Sequence, residues 1–576
     1  GISTFPDYPA DIRAPQGTLT GVSGFQVHIG TNKVLTPGDK CDVLVAMNPA
    51  ALKTQYKFCT PSTVIIIDSD SFKENDLKKA LFTTLDPFEE LGIKNEVVSA
   101  PIAEICKEAL KDSGLDFKSI IRCKNMFALG LVCWLFDRKL SLAEDMIRMK
   151  FAKKQEIADA NIKVLNAGYD YGHNTHASTT TRYRIESTGI KEKGLYMDID
   201  GNKATSYGFI AAAEKAGLKL YLGSYPITPA TDVLHELSKH KSLGVVTVQA
   251  EDEIAGCASA VGAAFAGALA VTSTSGPGVC LKSEAMNLAV MTELPLIVLN
   301  VQRGGPSTGM PTKSEQTDLL QALYGRNGES PMPVIAAASP TDCFDAAFSA
   351  AKIALEHMTP VVLLTDGFIA NGSAAWKLPD ISKYPSIKPP YVTSDMEGKW
   401  TPFKRNEETG VRYWALPGTK GFMHRIGGLE KSNETGVIST EPENHDLMTR
   451  LRQAKVDKIA NSIPLQEVEG DPDADLLVVG FGGTYGHLSD AVGQMNKNGK
   501  KVALAHFKYI NPLPKNTETL LRKYKRIVVA EQNLGQLAAY LRIKIEGIHF
   551  YQFNQVKGQP FVTSELVSAF TKIMEE

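Results

Sequence analysis

Three acidic residues, Glu251, Asp252 and Glu253, stand between a strand-like run and a helix made almost wholly of small residues. Glu251 and Asp252 are explained by the preference of acidic residues for the N-terminus of a helix, where the helix dipole is positive. Glu253 opens an otherwise apolar helix, and a carboxylate buried there loses its hydration unless a partner replaces it. Two interpretations of Glu253 stay open, a helix cap and a catalytic acid or base.

Two cations follow another strand-like run. Arg303 ends the run, a glycine pair follows it, and Lys313 comes ten residues later. The planar guanidinium of Arg303 suits a carboxylate, and Lys313 adds a compact point charge. The pair therefore suits a ligand with two anionic groups, although both side chains could equally be solvent-exposed loop charges.

Two further loops have residues suited to ligand binding. In the segment 223–231, two prolines stiffen the chain and hold Thr228 at the end of a strand. In the segment 272–278, small hydroxyl residues and glycines leave backbone N–H groups free to receive an anion. The ordinary interpretations are a proline-rich turn before a helix and a βα loop with a Ser or Thr cap.

The elements that must position these loops form an alternating strand and helix pattern. Because this alternation is typical of a parallel sheet covered on both faces, the loops that follow the strands should lie at one edge of the sheet. The predicted strands are Leu218–Leu222, Gly244–Val248, Ala268–Thr272, Leu296–Val301 and Pro360–Leu364.

The same pattern extends along the chain and predicts an α/β protein with three parallel-sheet α/β domains in series. The first domain has strands at 41–46 and 62–68 and a helix that begins at Asn48-Pro49. It opens on Phe5–Pro9, which we interpret as a loop, so we expect a first strand and helix to be missing. The predicted boundaries are an α/β domain at 1–166, a linker at 167–193, a second α/β domain at 194–378, an irregular wrapping segment at 379–469 with a helix near 445–460, and a third α/β domain at 470–576.

Composition narrows the class of protein. The 576 residues are 43% hydrophobic and 22% charged, as is usual for a globular protein, and the net charge of -2 gives no basic field for nucleic acid. The apolar runs are shorter than the ~20 residues that a bilayer requires, and no signal peptide is recognisable, so we expect a cytoplasmic location without membrane contact. Eight scattered cysteines show no metal-binding spacing, so we expect no metal here and any cluster on another subunit.

The four strand-end motifs YPITP, QAEDE, TSTSGPG and QRGGPSTGMPT, in this order, resemble the pyrimidine-binding domain of 2-oxoacid:ferredoxin oxidoreductases, in particular the 2-oxoglutarate:ferredoxin oxidoreductase type. Residues 5–15 and 21–25 resemble the γ domain of that family. Residues 511–514 and 531–537 resemble its transketolase-type C-terminal domain. The chain is therefore identified as an α subunit with the γ domain fused at its N-terminus.

The resemblance implies roles for individual residues. Glu253 would hydrogen-bond N1′ of the thiamine aminopyrimidine and promote loss of the thiazolium C2 proton. Thr228 and Arg303 would bind the 1-carboxylate and the 2-oxo group of the substrate. Tyr225 and Lys313 would be substrate-binding residues, Lys313 at the distal carboxylate, and Ser275 would contact the cofactor.

A glycine-rich turn at 480–486 follows a strand and precedes a helix, but its last glycine falls one place beyond a dinucleotide-binding pattern. We interpret it as a phosphate-tolerant turn. Because the family's C-terminal and γ domains help to hold coenzyme A, Gly483 and Thr484 are candidate contacts for that co-substrate.

The chain departs from a self-sufficient thiamine enzyme. Diphosphate binding uses a GDG segment followed by Asn, and the nearest segment, 365–371, lacks the first glycine and the spacing. A separate β subunit would therefore complete the thiamine diphosphate site and hold Mg²⁺ and the [4Fe–4S] cluster. The expected partners are this β subunit, in an (αβ)2 assembly, and ferredoxin.

The expected reaction is oxidative decarboxylation of 2-oxoglutarate with coenzyme A to succinyl-CoA and CO₂ with reduction of ferredoxin, in a direction set by redox supply. The cation pair and the fused γ domain favour 2-oxoglutarate over pyruvate or a branched-chain 2-oxoacid. Two other hypotheses are a non-oxidative thiamine-dependent decarboxylase subunit and a non-catalytic protein that binds a nucleotide at the 480–486 turn.

Overall fold

The computed structural model of the protein describes residues 1–11, 13–31, 33–176, 182–186 and 192–576. The chain divides into two compact units. The first unit comprises Gly1, 7–33 and 38–191, and the second comprises 2–6, 34–37 and 192–576. No helix in the described ranges is both long enough and apolar enough to cross a membrane.

The first strand, β1 (Ile2–Asp7), contributes most of its residues to the second unit, and the first unit is built on a small parallel sheet. The strands of the first unit are β2 (Gly24–Ile29), β3 (Cys41–Ala46), β4 (Cys59–Asp68) and β5 (Val97–Ala100), and the parallel order is β3-β4-β5. Its helices are α1 (Pro49–Gln55), α2 (Glu74–Lys79), α3 (Pro87–Leu91), α4 (Ile102–Ala109), α5 (Phe117–Arg122), α6 (Lys124–Leu135), α7 (Ser141–Lys150) and α8 (Gln155–His176).

The start of α1 confirms the predicted cap. The Asn48 side chain accepts a hydrogen bond from the Ala51 N–H at 2.9 Å, and Pro49 occupies the first helical position. Proline is favoured there because its missing N–H would have no partner within the helix.

Helix α8 corrects the predicted linker, because residues 167–176 continue the helix. Two glycines of this segment allow α8 to approach α6. A Cβ atom on Gly168 would lie 2.1 Å from the Phe127 carbonyl oxygen, and one on Gly172 would lie 2.5 Å from the Trp134 ring. The Ser and Thr residues at 178–181, which also belong to the predicted linker, lie outside the described residues.

The second unit contains a seven-stranded sheet, a five-stranded sheet and an antiparallel sheet. Its remaining strands are β6 (Tyr196–Asp200), β7 (Leu220–Ser224), β8 (Val245–Gln249), β9 (Leu269–Thr274), β10 (Leu296–Gln302), β11 (Val334–Ala336), β12 (Pro360–Asp366), β13 (Ser373–Lys377), β14 (Glu469–Gly470), β15 (Leu476–Phe481), β16 (Val502–Phe507), β17 (Tyr509–Asn511), β18 (Arg526–Glu531) and β19 (Tyr551–Asn554).

The helices of the second unit cover these sheets. They are α9 (Gly201–Ala216), α10 (Thr231–Leu237), α11 (Glu253–Phe265), α12 (Gly276–Leu281), α13 (Ser283–Thr292), α14 (Leu319–Tyr324), α15 (Asp342–His357), α16 (Gly367–Asn371), α17 (Pro442–Lys458), α18 (Tyr485–Lys497), α19 (Thr517–Leu521), α20 (Gln536–Lys544) and α21 (Thr563–Glu575).

The seven-stranded sheet has the order β17-β11-β12-β10-β9-β7-β8, and its strands are parallel except β17. The five strands predicted from the sequence correspond to β7, β8, β9, β10 and β12. The five-stranded sheet has the order β14-β16-β15-β18-β19, with β14 antiparallel. The predicted α/β class with mainly parallel sheets is confirmed.

The expectation that the chain opens on a loop is wrong, because Phe5 lies within β1. Strand β1 pairs with β13 in antiparallel fashion through Ser3 with Ala374 and Thr4 with Ser373, and β13 pairs in turn with β6. Pro6 follows the paired residues, so its missing N–H removes no hydrogen bond from this ladder.

The segment 379–469 is largely irregular before α17, and buried charges attach it to the seven-stranded domain. Glu293, 1% exposed just after α13, accepts a bidentate hydrogen bond from Arg405 and one from Lys455 Nζ at 2.6 Å. Arg412 Nε donates to the Glu293 carbonyl oxygen at 3.1 Å. Burial alone would raise the pKa of the Glu293 carboxyl, but the charges of Lys455 and Arg405 hold that pKa well below its usual value.

We expect Glu293→Gln to lower the free energy of unfolding of the second unit by roughly 3–5 kcal/mol at pH 7, because it leaves two buried cations without their carboxylate. Urea unfolding followed by circular dichroism measures the change, with Glu214→Gln at an exposed position of α9 as the matched control. Since the Glu293 pKa is depressed by folding, its stabilising contribution is present above about pH 4.3 and is lost as the pH falls further. The two proteins should therefore converge in acid, and a constant difference would contradict this account.

Candidate active site

Four loops meet at the carboxyl edge of the seven-stranded sheet. They follow β10, β9, β7 and β8, which are neighbours in that order. From β7 the chain goes first to β8 on one side and then to β9 on the other, so the strand order reverses beside β7. Open α/β sheets bind ligands at the carboxyl ends of the strands where the order reverses.

Glu253 is the first residue of α11, but the cap of this helix is Asp252. Asp252 Oδ1 accepts a hydrogen bond from the Ala255 N–H at 2.7 Å. The Glu253 side chain is 6% exposed, and its carboxylate has no hydrogen-bond partner among the described residues. The capping interpretation therefore belongs to Asp252, and Glu253 presents a buried acceptor that a ligand could satisfy.

Gly278 makes room for the Glu253 side chain. A Cβ atom on Gly278 would lie 2.8 Å from Glu253 Cγ, 3.1 Å from Glu253 Oε1 and 1.9 Å from Thr274 Oγ1. The absence of a side chain at this position thus lets the acidic turn after β8 contact the loop after β9. The two motifs that carry Glu253 and Gly278 are therefore parts of one site.

Ser275 precedes α12 in the loop after β9, where its side chain makes no capping hydrogen bond. Its residue is fully buried, and Ser275 Oγ has no hydrogen-bond partner within the described ranges. An unpartnered buried hydroxyl is uncommon and calls for a ligand or water. Ser275 stays a predicted cofactor contact, and its geometry fits that role.

Arg303 and Thr228 lie together, although 75 residues separate them in the sequence. Arg303 Nη1 donates to the Thr228 carbonyl oxygen at 2.9 Å, while the buried Arg303 Nε has no partner in the described part of the chain. Burial lowers the pKa of the Arg303 guanidinium, and the charge of Asp318 opposes this shift. The Tyr225 side chain, in the same loop as Thr228, is 39% exposed and accessible to a ligand.

The sequence did not indicate Asp318, which connects two of these loops. A Cβ atom on Gly276 would lie 2.6 Å from Asp318 Oδ2, and Asn300 Nδ2 donates to the same oxygen at 3.0 Å. Burial raises the pKa of the Asp318 carboxyl, while Asn300 and Arg303 oppose the rise. Asp318 therefore places a partly compensated carboxyl beside Arg303, and only the folded loop reveals it.

The loop after β10 folds back on itself, so that the backbone of Lys313 lies close to that of Arg303. The Gly304 N–H donates to the Lys313 carbonyl oxygen at 2.9 Å, and the Met310 N–H donates to the Gly304 carbonyl oxygen at 2.8 Å. A Cβ atom on Gly558 would lie 3.0 Å from Lys313 Cβ, so the segment that follows β19 contacts this lysine. The two predicted cations thus belong to one compact loop.

The glycine-rich turn is tied to the site by a buried carboxylate. The Gly483 N–H donates to Asp366 Oδ2 at 3.1 Å, and Asp366 also accepts from Ser314 Oγ at 2.9 Å and caps α16. Thr484, 1% exposed, donates through Oγ1 to the Phe481 carbonyl oxygen at 2.7 Å. Because these groups are already bonded within the chain, the turn acts here as a structural joint, and a coenzyme A contact stays a prediction.

Three segments of the chain match models of known protein families. The residues 211–441 match the family model described as pyruvate flavodoxin/ferredoxin oxidoreductase, thiamine diP-bdg. The residues 1–171 match pyruvate ferredoxin/flavodoxin oxidoreductase, and 474–561 match pyruvate:ferredoxin oxidoreductase core domain II. The fold and the site therefore define an oxidoreductase subunit with a thiamine diphosphate-binding domain.

The most similar relatives described below are named for 2-oxoglutarate. The chain is 51% identical over 568 residues to the 2-oxoglutarate oxidoreductase subunit KorA of Mycobacterium tuberculosis, which covers 98% of this chain and 86% of that protein. It is 31% identical to the 2-oxoglutarate synthase subunit KorA of Archaeoglobus fulgidus over 61% of this chain and 94% of that protein. The solved 2-oxoglutarate:ferredoxin oxidoreductase from Magnetococcus marinus, with 2-oxoglutarate, coenzyme A and succinyl-CoA bound, matches with a TM-score of 0.85 and 29% identity over 100% of this chain and 94% of that chain.

The chain belongs to the 2-oxoacid:ferredoxin oxidoreductase family, as an α subunit of the 2-oxoglutarate:ferredoxin oxidoreductase type. The family identification made from the strand-end motifs is confirmed.

We expect Gly278→Ala to displace Glu253 and to weaken thiamine diphosphate binding, because the added methyl group overlaps both Glu253 and Thr274. Overpacking of this kind costs about 1–3 kcal/mol, which is roughly a tenfold to hundredfold loss of affinity. Isothermal titration of the cofactor into the purified complex of this chain with its partner subunit measures the loss. Gly262→Ala on α11, where a Cβ atom would meet nothing within 4 Å, is the matched control, and equal affinities for both variants would contradict the steric account.

Proposed function

We propose that this chain, together with a β subunit, catalyses the oxidative decarboxylation of 2-oxoglutarate with coenzyme A. The C1–C2 bond of 2-oxoglutarate breaks and CO₂ leaves, a thioester bond forms to give succinyl-CoA, the thiol proton is released, and two electrons pass singly to two oxidised ferredoxins. The observation that carries the proposal is the unpartnered Glu253 carboxylate beside Gly278, at the carboxyl edge of the sheet in a chain of this family.

The residues at the sheet edge fit the pyrimidine half of thiamine diphosphate. The Glu253 carboxylate would accept a hydrogen bond from the pyrimidine ring and hold a proton at the ring nitrogen, and the buried Ser275 hydroxyl would offer a polar contact. Thiamine diphosphate supplies, when bound, the nucleophilic carbon and the electron sink that decarboxylation of a 2-oxoacid requires. The close approach at Gly278 fixes the position of the carboxylate before the cofactor arrives.

Arg303, Thr228 and Tyr225 are placed to orient the substrate. Arg303 is held by its hydrogen bond to the Thr228 carbonyl oxygen and keeps an unpartnered Nε–H among the described residues. A guanidinium fixed in this way receives a carboxylate with little loss of side-chain entropy. The Thr228 hydroxyl and the partly exposed Tyr225 hydroxyl would contact the remaining oxygens of the 2-oxoacid group.

The β subunit would hold the diphosphate, Mg²⁺ and the [4Fe–4S] cluster, in an (αβ)2 assembly that transfers electrons to ferredoxin. Two observations support a partner at this edge. Asp366, in the segment most similar to a metal-binding GDG motif, is fully engaged as a helix cap and domain joint. Next to Glu253, the apolar side chains of Val246, Val248 and Ile254 are 37–50% exposed and available to a protein partner.

We expect Glu253→Gln to lower kcat of the αβ complex by about 10²–10⁴, because loss of a positioned acid–base group has this effect. The measurement is 2-oxoglutarate-dependent dye reduction together with release of CO₂. Glu251→Gln, two residues earlier and exposed, is the matched control and should retain the activity. Activity of Glu253→Gln within twofold of the parent would contradict the role of this residue, and CO₂ release without dye reduction in the parent would contradict the oxidative reaction.

We expect Lys313→Met to raise KM for 2-oxoglutarate by roughly tenfold to hundredfold and to change KM for pyruvate little. The reason is that a charge-assisted hydrogen bond to the distal carboxylate is worth about 1.5–3 kcal/mol, and only 2-oxoglutarate has that group. Steady-state kinetics on 2-oxoglutarate, pyruvate and 2-oxoisovalerate measures the effect, with the exposed Lys557→Met as the control. Equal losses on all three substrates would argue against contact with the distal carboxylate.

A further inference from the structure

Gln316 ends the loop that carries Arg303 and Lys313, and the reaction as proposed above gives it no role. Its residue is 0% exposed. Gln316 Nε2 donates to the carbonyl oxygen of Phe481, the last residue of β15, at 2.6 Å. Gln316 Oε1 accepts from the N–H of Gln532, directly after β18, at 3.2 Å. Both ends of this buried side-chain amide therefore bond to the backbone at the carboxyl ends of strands in the five-stranded sheet.

The backbone of Gln316 is attached at the same place. Its N–H donates to the Gln532 carbonyl oxygen at 3.1 Å, and Asn533 Nδ2 donates to its carbonyl oxygen at 2.8 Å. The backbone and side chain of Gln316 thus make four hydrogen bonds to residues of the five-stranded sheet and the segments that follow its strands. A buried polar group that is bonded in this way holds one position, because any other position would leave buried polar groups unpaired.

A second attachment lies two residues earlier, at Ser314. Ser314 Oγ donates to Asp366 Oδ1 at 2.9 Å, and Asp366 Oδ2 accepts from the Gly483 N–H at 3.1 Å. The segment 314–316 is therefore attached at two points to the glycine-rich turn at 480–486 or to the strand end that precedes it. Lys313 comes directly before the first of these points.

The glycines of the turn make room for both attachments. A Cβ atom on Gly482, where φ is +63°, would lie 2.5 Å from Gln316 Nε2. A Cβ atom on Gly483 would lie 2.3 Å from Asp366 Oδ2. Each glycine thus allows the close approach of one side chain from the seven-stranded part of the unit. The sequence of this turn is explained by these two contacts without a phosphate group.

The attachments act on Lys313 more than on Arg303. Arg303 directly follows β10, and its Nη1 is held by the Thr228 carbonyl oxygen at 2.9 Å. Lys313 lies at the other end of the loop, where its carbonyl oxygen accepts from the Gly304 N–H and its backbone continues into the attached segment 314–316. Movement of that segment would therefore displace Lys313 while Arg303 stays in place.

We propose that Gln316 is a positioning residue that fixes Lys313 at the separation from Arg303 that a dicarboxylic 2-oxoacid requires. The inference rests on the proposed role of Lys313 at the distal carboxylate and adds the group that sets where this lysine lies. A misplacement of about 1 Å can cost an enzyme about a hundredfold in rate. Gln316 would thus contribute to the selectivity for 2-oxoglutarate over monocarboxylic 2-oxoacids.

The first test is Gln316→Met in the αβ complex, since methionine keeps the length of the side chain and removes its hydrogen bonds. Steady-state kinetics should show KM for 2-oxoglutarate raised roughly tenfold, with KM for pyruvate and kcat on both substrates within about twofold of the parent. Gln466→Met is the matched control, because the Gln466 side chain also donates to a backbone carbonyl oxygen, that of His506, at 3.0 Å. It should leave both KM values unchanged. Thermal midpoints of both variants report whether they fold.

The second test is the double variant Lys313→Met/Gln316→Met, measured on 2-oxoglutarate alone. If Gln316 acts through Lys313, the second substitution should raise KM no further than Lys313→Met does. A rise equal to the product of the two single rises would overturn the proposal, because general structural damage acts independently of Lys313. This comparison decides even if pyruvate is turned over too slowly to be measured.

Ser314→Ala provides a variant that removes one attachment and keeps Gln316, for the case that Gln316→Met does not fold. It should raise KM for 2-oxoglutarate by a smaller factor, and this rise should also vanish in the Lys313→Met background. Equal increases in KM for 2-oxoglutarate and pyruvate, in Gln316→Met or in Ser314→Ala, would overturn the proposal for Gln316. Equal losses on all substrates in Lys313→Met alone would instead overturn the proposed role of Lys313, so the two failures are distinguishable.

Discussion

The contact between Glu253 and Gly278 is the constraint on which the rest of the site depends. The contact joins the turn after β8 to the loop after β9, across the intervening strand β7. It also holds the Glu253 side chain, which is 6% exposed, at a fixed position. On its other side, the loop after β9 approaches Asp318 through Gly276. A side chain at either glycine would push apart the groups now in contact there, so these two positions are determined by close approach.

Two buried carboxylates of the second unit show how their surroundings determine what they do. Glu293 is saturated by Arg405 and Lys455, and it fastens the irregular segment before α17 to the sheet domain. Glu253 has no hydrogen-bond partner in the described part of the chain. The first arrangement stabilises the fold, and the second leaves an acceptor open to the proposed cofactor.

The five-stranded sheet is connected to the same edge of the seven-stranded sheet. Gln316 donates through Nε2 to the Phe481 carbonyl oxygen at 2.6 Å, and Asn533 Nδ2 donates to the Gln316 carbonyl oxygen at 2.8 Å. Together with the hydrogen bond between Asp366 and Gly483, these contacts fix the loop that carries Arg303 and Lys313 against the five-stranded sheet. The position of this loop therefore depends on both sheets.

The sequence by itself determined the parallel strands β7, β8, β9, β10 and β12, the family, and the loops that carry Glu253, Thr228 and Arg303. It could do so because buried parallel strands are continuous apolar runs and because ligand-binding loops follow their carboxyl ends. It did not indicate β1, because the pairing of β1 with β13 spans some 370 residues and leaves no local pattern. The glycines at 168 and 172 suggested a linker, since a sequence does not distinguish a flexible glycine from one that allows two helices to approach.

Only the tertiary structure decided the roles of Asp252 and Asp318. Capping was assigned to Asp252 by its hydrogen bond to the Ala255 N–H, which leaves the Glu253 side chain outside the cap. Asp318 belongs to none of the motifs, and its importance comes from burial beside Gly276 and Asn300, which are distant from it in the chain. Electrostatic partners of this kind depend on distances through space, and these are set when the loops pack on the sheet.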